Sequence, residues 1–167
     1  LATDDHTMYA AMKVLHSVLT SNAMCDYLMQ HIDGYQILAF LLRKKTPFLN
    51  HRIFQLILSV AGTAELGFRP SAVTNMCIFR HVLCNFELWT NTADNLELTL
   101  FSHLLEILQS PREGPRNAER AHQAQLVPKL IFLFNEPSLA LSKVSTIIAI
   151  LGCQLKGHFN IQDLLRY

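Results

Sequence analysis

The nine residues Leu126-Val-Pro-Lys-Leu-Ile-Phe-Leu-Phe134 constrain this chain more than any others. Apolar side chains crowd a short helix that opens near a proline and carries one lysine. A helix that apolar cannot face water and must lie between neighbours on more than one side. A partial echo stands earlier, at Gly34-Tyr-Gln-Ile-Leu-Ala-Phe-Leu-Leu42. Leu38 matches Leu130, Phe40 matches Phe132 and Leu41 matches Leu133, each pair 92 residues apart. Half of that offset is close to the roughly 40–47-residue period of HEAT and armadillo repeats. Midway, around Cys84, no good third copy is found, so the repeat is degenerate. The expectation is stacked helices and a binding surface rather than a catalytic pocket.

Helical periodicity dominates the rest of the chain, and no run alternates as a strand would. Met8, Met12, Leu15 and Leu19 share a face, giving a first helix over about 4–20. A short piece follows over about 23–32. Asp33-Gly34 then breaks the chain and starts a third helix that runs to about Lys45, before Pro47. Asn50 caps a fourth, whose buried stripe is Ile53, Ile57 and Val60. Glu65–Pro70 reads as a loop and 71–84 as a helix. Asp94 and Glu97 form a capping-box-like start to the next helix, lined by Leu96, Leu100, Leu104 and Ile107 or Leu108. Pro111, Gly114 and Pro115 mark the strongest internal break, a mobile loop near 111–116. A polar helix from about Asn117, the apolar helix over 127–135 and another over 138–155 follow. Val144, Ile147, Ile148, Leu151 and Leu155 stripe the last of these, and Asn160 caps a final turn ending at Arg166. The architecture expected is all-α: one domain, residues 1–167, built as an armadillo/HEAT-like right-handed stack of about 8–9 antiparallel helices. A compact non-repeating helical bundle is the alternative.

Of the 167 residues half are hydrophobic and only 16% charged, which rules out a disordered tail and permits a real core. The chain opens at Leu1 without an initiator Met and stops just after Leu164-Leu165, and so reads as a segment of a larger protein. Net charge is +1 with acids and bases mixed, so no clustered basic face for nucleic acid is expected. No run reaches the ~18 apolar residues of a membrane span. Four cysteines without CxxC spacing, and no Asn-x-Ser/Thr sequon, suit a reducing, cytosolic setting.

Each candidate for chemistry has a plain structural reading beside it. Cys77, His81 and Cys84 fall on one helix face with the residue types zinc prefers, but without a fourth ligand or paired turns. The same His81 and Cys84 could form a base and a thiol nucleophile, yet no orienting group or oxyanion hole accompanies them. A packed helix face is the better expectation. The other histidines are scattered, no glycine-rich phosphate loop occurs, and Asp4-Asp5 suits a helix N-terminus. Arg43-Lys44-Lys45 is the one tight basic run, favourable at a helix C-terminus and alternatively a contact for phosphate or lipid headgroups. Phe86 and Trp89 can face the same way, as a clamp closing a helix end or as a partner contact. Ser110-Pro111, with Arg112 and Arg116 near, has the form of a phosphorylation site. No catalytic, cofactor-binding or metal residue is assigned, and the chain is not expected to be an enzyme.

Leu83-Cys-Asn-Phe-Glu-Leu-Trp89, Leu98-Thr-Leu-Phe-Ser-His-Leu-Leu-Glu-Ile-Leu108, Leu126-Val-Pro-Lys-Leu130 and Asp163-Leu-Leu-Arg-Tyr167 carry a resemblance. Through them the chain resembles the neurobeachin family of BEACH-domain proteins, from about Gly34 to its end. These runs are helix-packing signatures, not catalytic motifs. The resemblance implies an armadillo-like region upstream of PH-like, BEACH and WD40 modules in a cytoplasmic scaffold peripheral to intracellular membranes. It further implies work in vesicle trafficking and in granule or receptor sorting, with other proteins and neighbouring domains as partners and membrane contact only through the parent. A phosphoinositide or membrane adaptor and a purely structural spacer are the rival readings.

Overall fold

The computed structural model describes residues 4–64, 72–137, 139–158 and 160–165. Asp4 starts α1 (Asp5–Ser21) by accepting a hydrogen bond from the Thr7 amide at 2.7 Å, the usual role of a short acidic cap. Met8, Met12 and Leu19 turn inward, and α1 lies along α4 (His51–Ala61). Asn50 caps α4 through the Ile53 amide at 3.1 Å, as its position in the sequence predicts. Ile53, Phe54, Ile57, Leu58 and Ala61 fill the core from this helix. Between α1 and α4 come α2 (Ala23–His31) and α3 (Gly34–Arg43), packed on one another. α3 buries Tyr35, Leu38, Ala39 and Leu42, whereas α2 buries no residue fully. α4 stops at Gly62, where φ is +80° and an added Cβ would lie 2.0 Å from Thr74 Oγ1. Neither the backbone conformation nor the space admits a side chain there.

The expected helix over 71–84 is shorter and stranger than its periodicity suggests. Its first residue and the Glu65–Pro70 loop lie outside the described residues. Residues 72–75 are not helical, because their amides bond elsewhere: Thr74 to Ala61 O at 3.0 Å and Val73 to Asn117 Oδ1 at 3.0 Å. Asn75 then caps α5 (Met76–Ile78), which widens at once into a π turn over Phe79–Leu83. A four-residue helix, α6 (Phe86–Trp89), follows.

The remaining helices are α7 (Leu96–Gln109), α8 (Gly114–Gln123), α9 (Leu126–Phe132), α10 (Leu141–Gly157) and α11 (Ile161–Leu165). The stripe Leu96, Leu100, Leu104, Ile107 and Leu108 is buried on α7 as expected. The Asp94–Glu97 capping box does not form. Asn95 takes φ +50°, Thr92 Oγ1 accepts the Leu96 amide at 3.0 Å, and Glu97 turns to Lys143 instead. The break expected at 111–116 contracts to a turn, and Gly114 is already the first residue of α8. Asn117 sits fully buried on α8, accepting from Val73 N and donating to Ile107 O at 2.9 Å. One side chain thus ties three segments together through two buried backbone groups, each of which would cost about 1–3 kcal/mol if orphaned. On α10 the buried residues are Lys143, Ile147, Ile150 and Gln154, with Ile148 exposed, so the stripe is rotated from the expected one.

The most extensive packing joins α7 to α10 and α1 to α4, while α3 packs on the π turn and α6, α6 on α7, α7 on α8 and α8 on α9. α10 folds back across α7, α8 and α9. The echo between 34–42 and 126–134 reaches the backbone. Asp33 and Gln125 both enter their helices in the left-handed region, at φ 54° and 59°. Leu38 and Leu130 are both buried, and Phe40 and Phe132 both exposed; Leu41 and Leu133 differ. α9 is therefore less enclosed than its composition suggests, since Phe132 and Phe134 face solvent.

Candidate functional site

A groove of about 780 Å³ opens between the π turn and α6 on one side and α9 with its following turn on the other. Its first wall exists because the π turn is wider than an α turn. Cys84 N reaches back to Phe79 O at 2.8 Å, and Phe79, Val82 and Leu83 point into the core. Arg80 is left exposed and His81 half-buried on the groove side. Two outside donors take up carbonyls of this turn. The Trp89 indole N–H donates to Val82 O and the Lys129 ammonium to Arg80 O, both at 3.0 Å. π turns recur at functional sites because they displace side chains from helical register.

The second wall is α9. Leu126, Val127, Leu130 and Leu133 anchor it in the core, while Pro128, Lys129 and Phe132 look into the groove. Phe86 closes the floor, packed on Phe101 at 5.3 Å between ring centroids. Burial pulls the Lys129 pKa below the ordinary lysine value; the Cys84 thiol opposes that and the Arg80 charge adds to it. Two carboxylates line the groove as well. Glu87 is held by Arg43 at 3.0 Å, and Glu136 by Lys143 at 3.0 Å.

Cys84 and His81 both line the groove, yet their environment works against thiol chemistry. Cys84 is fully buried, which pushes its thiol up to about 12 against a small opposing pull from Lys129. A thiol so shifted stays protonated at neutral pH and is a poor nucleophile. Burial and the Arg80 and Lys129 charges hold His81 below the usual histidine range. Cys77 is also raised, chiefly by burial and then by Asp26. Among the described residues, Cys77, His81 and Cys84 do not form a group that could hold a metal ion. Trp89 is a core residue, fully buried and edge-on to Phe54 at 5.2 Å, whereas Phe86 serves both core and groove. Of the basic run, Arg43 pairs with Glu87, Lys44 stands over Phe40 and Lys45 over Phe48. At the Ser110 turn, Ser110 Oγ accepts the Glu113 amide, and Arg116 lies 3.7 Å from Glu113. Arg80 and Phe132 carry no sequence signal of a site; the lysine inside the apolar run at 126–134 is the one visible hint. A second cluster, Asp26, Tyr35 and Asn75, is also invisible in sequence. Asp26 accepts from the Tyr35 hydroxyl and from Asn75 Nδ2, which ties α2 to α3 and to the cap of α5.

An all-helical stack of short antiparallel elements, with an open amphipathic groove between elements far apart in sequence, has the form of an alpha-solenoid segment. The chain belongs to the family described as Neurobeachin/BDCP, DUF4704 alpha solenoid region, whose model matches residues 2–130. That match begins well before Gly34 and ends at Leu130, so residues 1–33 carry more of the family pattern than their sequence suggests, and Asp163–Tyr167 lies beyond the matched span. The chain is 96% identical over 166 residues to WD repeat- and FYVE domain-containing protein 4 of Mus musculus, and 84% identical to the Homo sapiens protein of that name. Both alignments cover 99% of this chain. Beige protein homolog 1 of Schizosaccharomyces pombe is 21% identical over 122 residues, 72% of the chain. The chain spans about 5% of the length of each of these relatives. No solved structure matches it. Among the described residues, no helix is long and apolar enough to cross a membrane.

Proposed function

We propose that this segment is a non-catalytic interaction module, which holds its shape and offers the α6–α9 groove to protein partners. The observation that carries the reading is the groove itself. Apolar rings line an open channel, while the nearest thiol is buried and kept protonated. Such a channel can take an apolar anchor from a partner, with polar rim contacts fixing register. Membership of the neurobeachin family supports a parent that works as a trafficking scaffold, in granule or receptor sorting, in the cytoplasm at the periphery of intracellular membranes. Two relatives are named for WD repeats and a FYVE domain, which agrees with a modular parent.

The test places the photo-crosslinking residue benzoylphenylalanine at position 132 of the full-length protein, with position 14 on α1 as an exposed control. The expected result is one or a few defined adducts at 132, to another protein or to a distant segment of the same chain, absent from the control. Equal, diffuse labelling at both positions would make the segment a spacer. The membrane-adaptor reading is checked by sedimentation with vesicles of phosphatidylserine and phosphoinositide. Because Arg43, Lys44 and Lys45 are engaged locally, charge reversal there is expected to leave sedimentation unchanged.

A further inference from the structure

The charges lining the groove are unequally satisfied. Glu87 is paired with Arg43, and Glu136 shares Lys143 with Glu97, both bases lying outside the groove lining. Arg80 and Lys129 form no ion pair among the described residues. Lys129 makes one bond, to the neutral Arg80 carbonyl, which brings the two cations to the same rim. The groove therefore presents two uncompensated positive charges beside Pro128, Phe132 and Phe86. Phe132 is 68% exposed, an aromatic ring in water at the lip of an apolar channel.

We infer that the groove's occupant is an acidic peptide segment of a partner protein, seating an apolar side chain against Phe86 and Phe132 and placing a carboxylate between Arg80 and Lys129. This rests on the interaction-module reading above and adds the chemistry of the partner. A carboxylate gains charge-assisted hydrogen bonds from both cations, in a site where partial burial strengthens them. It also relieves the mutual repulsion of Arg80 and Lys129, which adds to burial, the main cause, in lowering the Lys129 pKa. An anionic membrane fits less well. A broad negative surface would also have to meet Glu87 and Glu136, and it offers no single side chain to fill a channel walled on two sides.

The probes are fluorescein-labelled peptides of about 12 residues in three matched sets, alternating leucine or phenylalanine with glutamate, glutamine or lysine, a length that spans a groove in extended form. Fluorescence anisotropy follows their binding to the chain at low and high salt. The glutamate set is expected to bind saturably and to weaken with salt. The glutamine set should bind about tenfold more weakly, the loss of one good charge-assisted contact. Arg80→Glu should weaken the glutamate set by at least about tenfold and improve the lysine set. Phe132→Ser should weaken all three sets. Both side chains are exposed, so neither substitution puts the fold at stake, and the buried Trp89 reports folding in every sample.

The inference is overturned if no set binds, if the glutamate and lysine sets bind equally, or if Arg80→Glu leaves glutamate binding unchanged. Displacement of the peptides by phosphoinositide vesicles, but not by neutral ones, overturns it in favour of a lipid. Failure here is separable from failure of the broader reading. If crosslinks at position 132 persist in Arg80→Glu, the groove still docks a partner and only its acidic character is wrong.

Discussion

His103 shows most directly how a single side chain sets a property of the chain. It lies on α7 with its ring largely buried and Nε2 without a hydrogen-bond partner among the described residues. Burial pushes its pKa from 6.5 down to about 4. The Glu106 carboxylate stands 3.9 Å from Nδ1, but it is largely exposed and beyond hydrogen-bond range, so it does not offset burial. With the folded pKa below the unfolded one, the unfolded chain takes up the proton first. Stability from this site is therefore intact above about pH 6.5 and is lost as pH falls toward about 4. Near pH 4.5 the loss comes to about 2.5 kcal/mol, at 1.36 kcal/mol per unit. His103→Leu removes the titrating group. Urea unfolding of both proteins, at about pH 7.5 and pH 4.5, should show the variant gaining about 2.5 kcal/mol relative to the wild type on acidification. Parallel loss in the two proteins would mean that His103 protonates freely in the native state.

Among elements, the decisive junction joins α7, α10 and the turn after α9. Lys143 Nζ lies 2.9 Å from Glu97 and 3.0 Å from Glu136, and 5.9 Å from the centre of the Phe101 ring. Its side chain is 10% exposed and that of Glu97 13%. Burial pulls the lysine pKa down, and the hydrogen bonds and charges of the two carboxylates more than reverse this, leaving it raised. Lys143→Met strands Glu97 in a nearly dry site, which should cost about 2–4 kcal/mol in urea unfolding. Lys143→Met combined with Glu97→Leu should recover much of that loss, because no lone charge remains buried. A double variant no better than the single one would show that the pair is not what joins these helices. The same junction explains what was legible in sequence. α1 to α4 could be read because caps such as Asp4 and Asn50 act locally and the apolar spacing is regular. The capping box at Asp94 failed because Glu97 answers to a lysine 46 residues away. The α10 stripe was rotated because Lys143 is buried against its carboxylates and Gln154 is buried with Nε2 donating to Ala118 O at 2.7 Å, which hydropathy does not register. The π turn has the same i, i+4, i+7 pattern as an α-helix, and its outside partners, Trp89 and Lys129, are not deducible from local sequence. Half the groove wall depends on that turn, so the groove was hidden with it.

At the scale of the whole molecule, the question is whether the stack melts as a unit or layer by layer. Solenoids are approximately one-dimensional, each layer coupled only to its neighbours, and long arrays lose cooperativity. This chain departs from that pattern in two ways. Nearly all of its buried apolar residues form one cluster, from Met8 on α1 to Ile150 on α10. In addition, α10 packs across α7, α8 and α9, and Asn117 ties α8 to α7 and to the segment after α4. Unfolding one end therefore exposes apolar surface and orphaned backbone groups at the other. Trp89, the single tryptophan, sits between Phe54 on α4 and Val82 in the π turn, so its fluorescence reports the middle of the stack, while far-UV circular dichroism reports every helix. The two signals should give the same urea midpoint. Lys143→Met, at the far end from α1, should shift both midpoints together. If circular dichroism fell first while Trp89 stayed buried, the terminal helices would be independent layers, and the groove between α6 and α9 would keep only the rigidity of its own two walls.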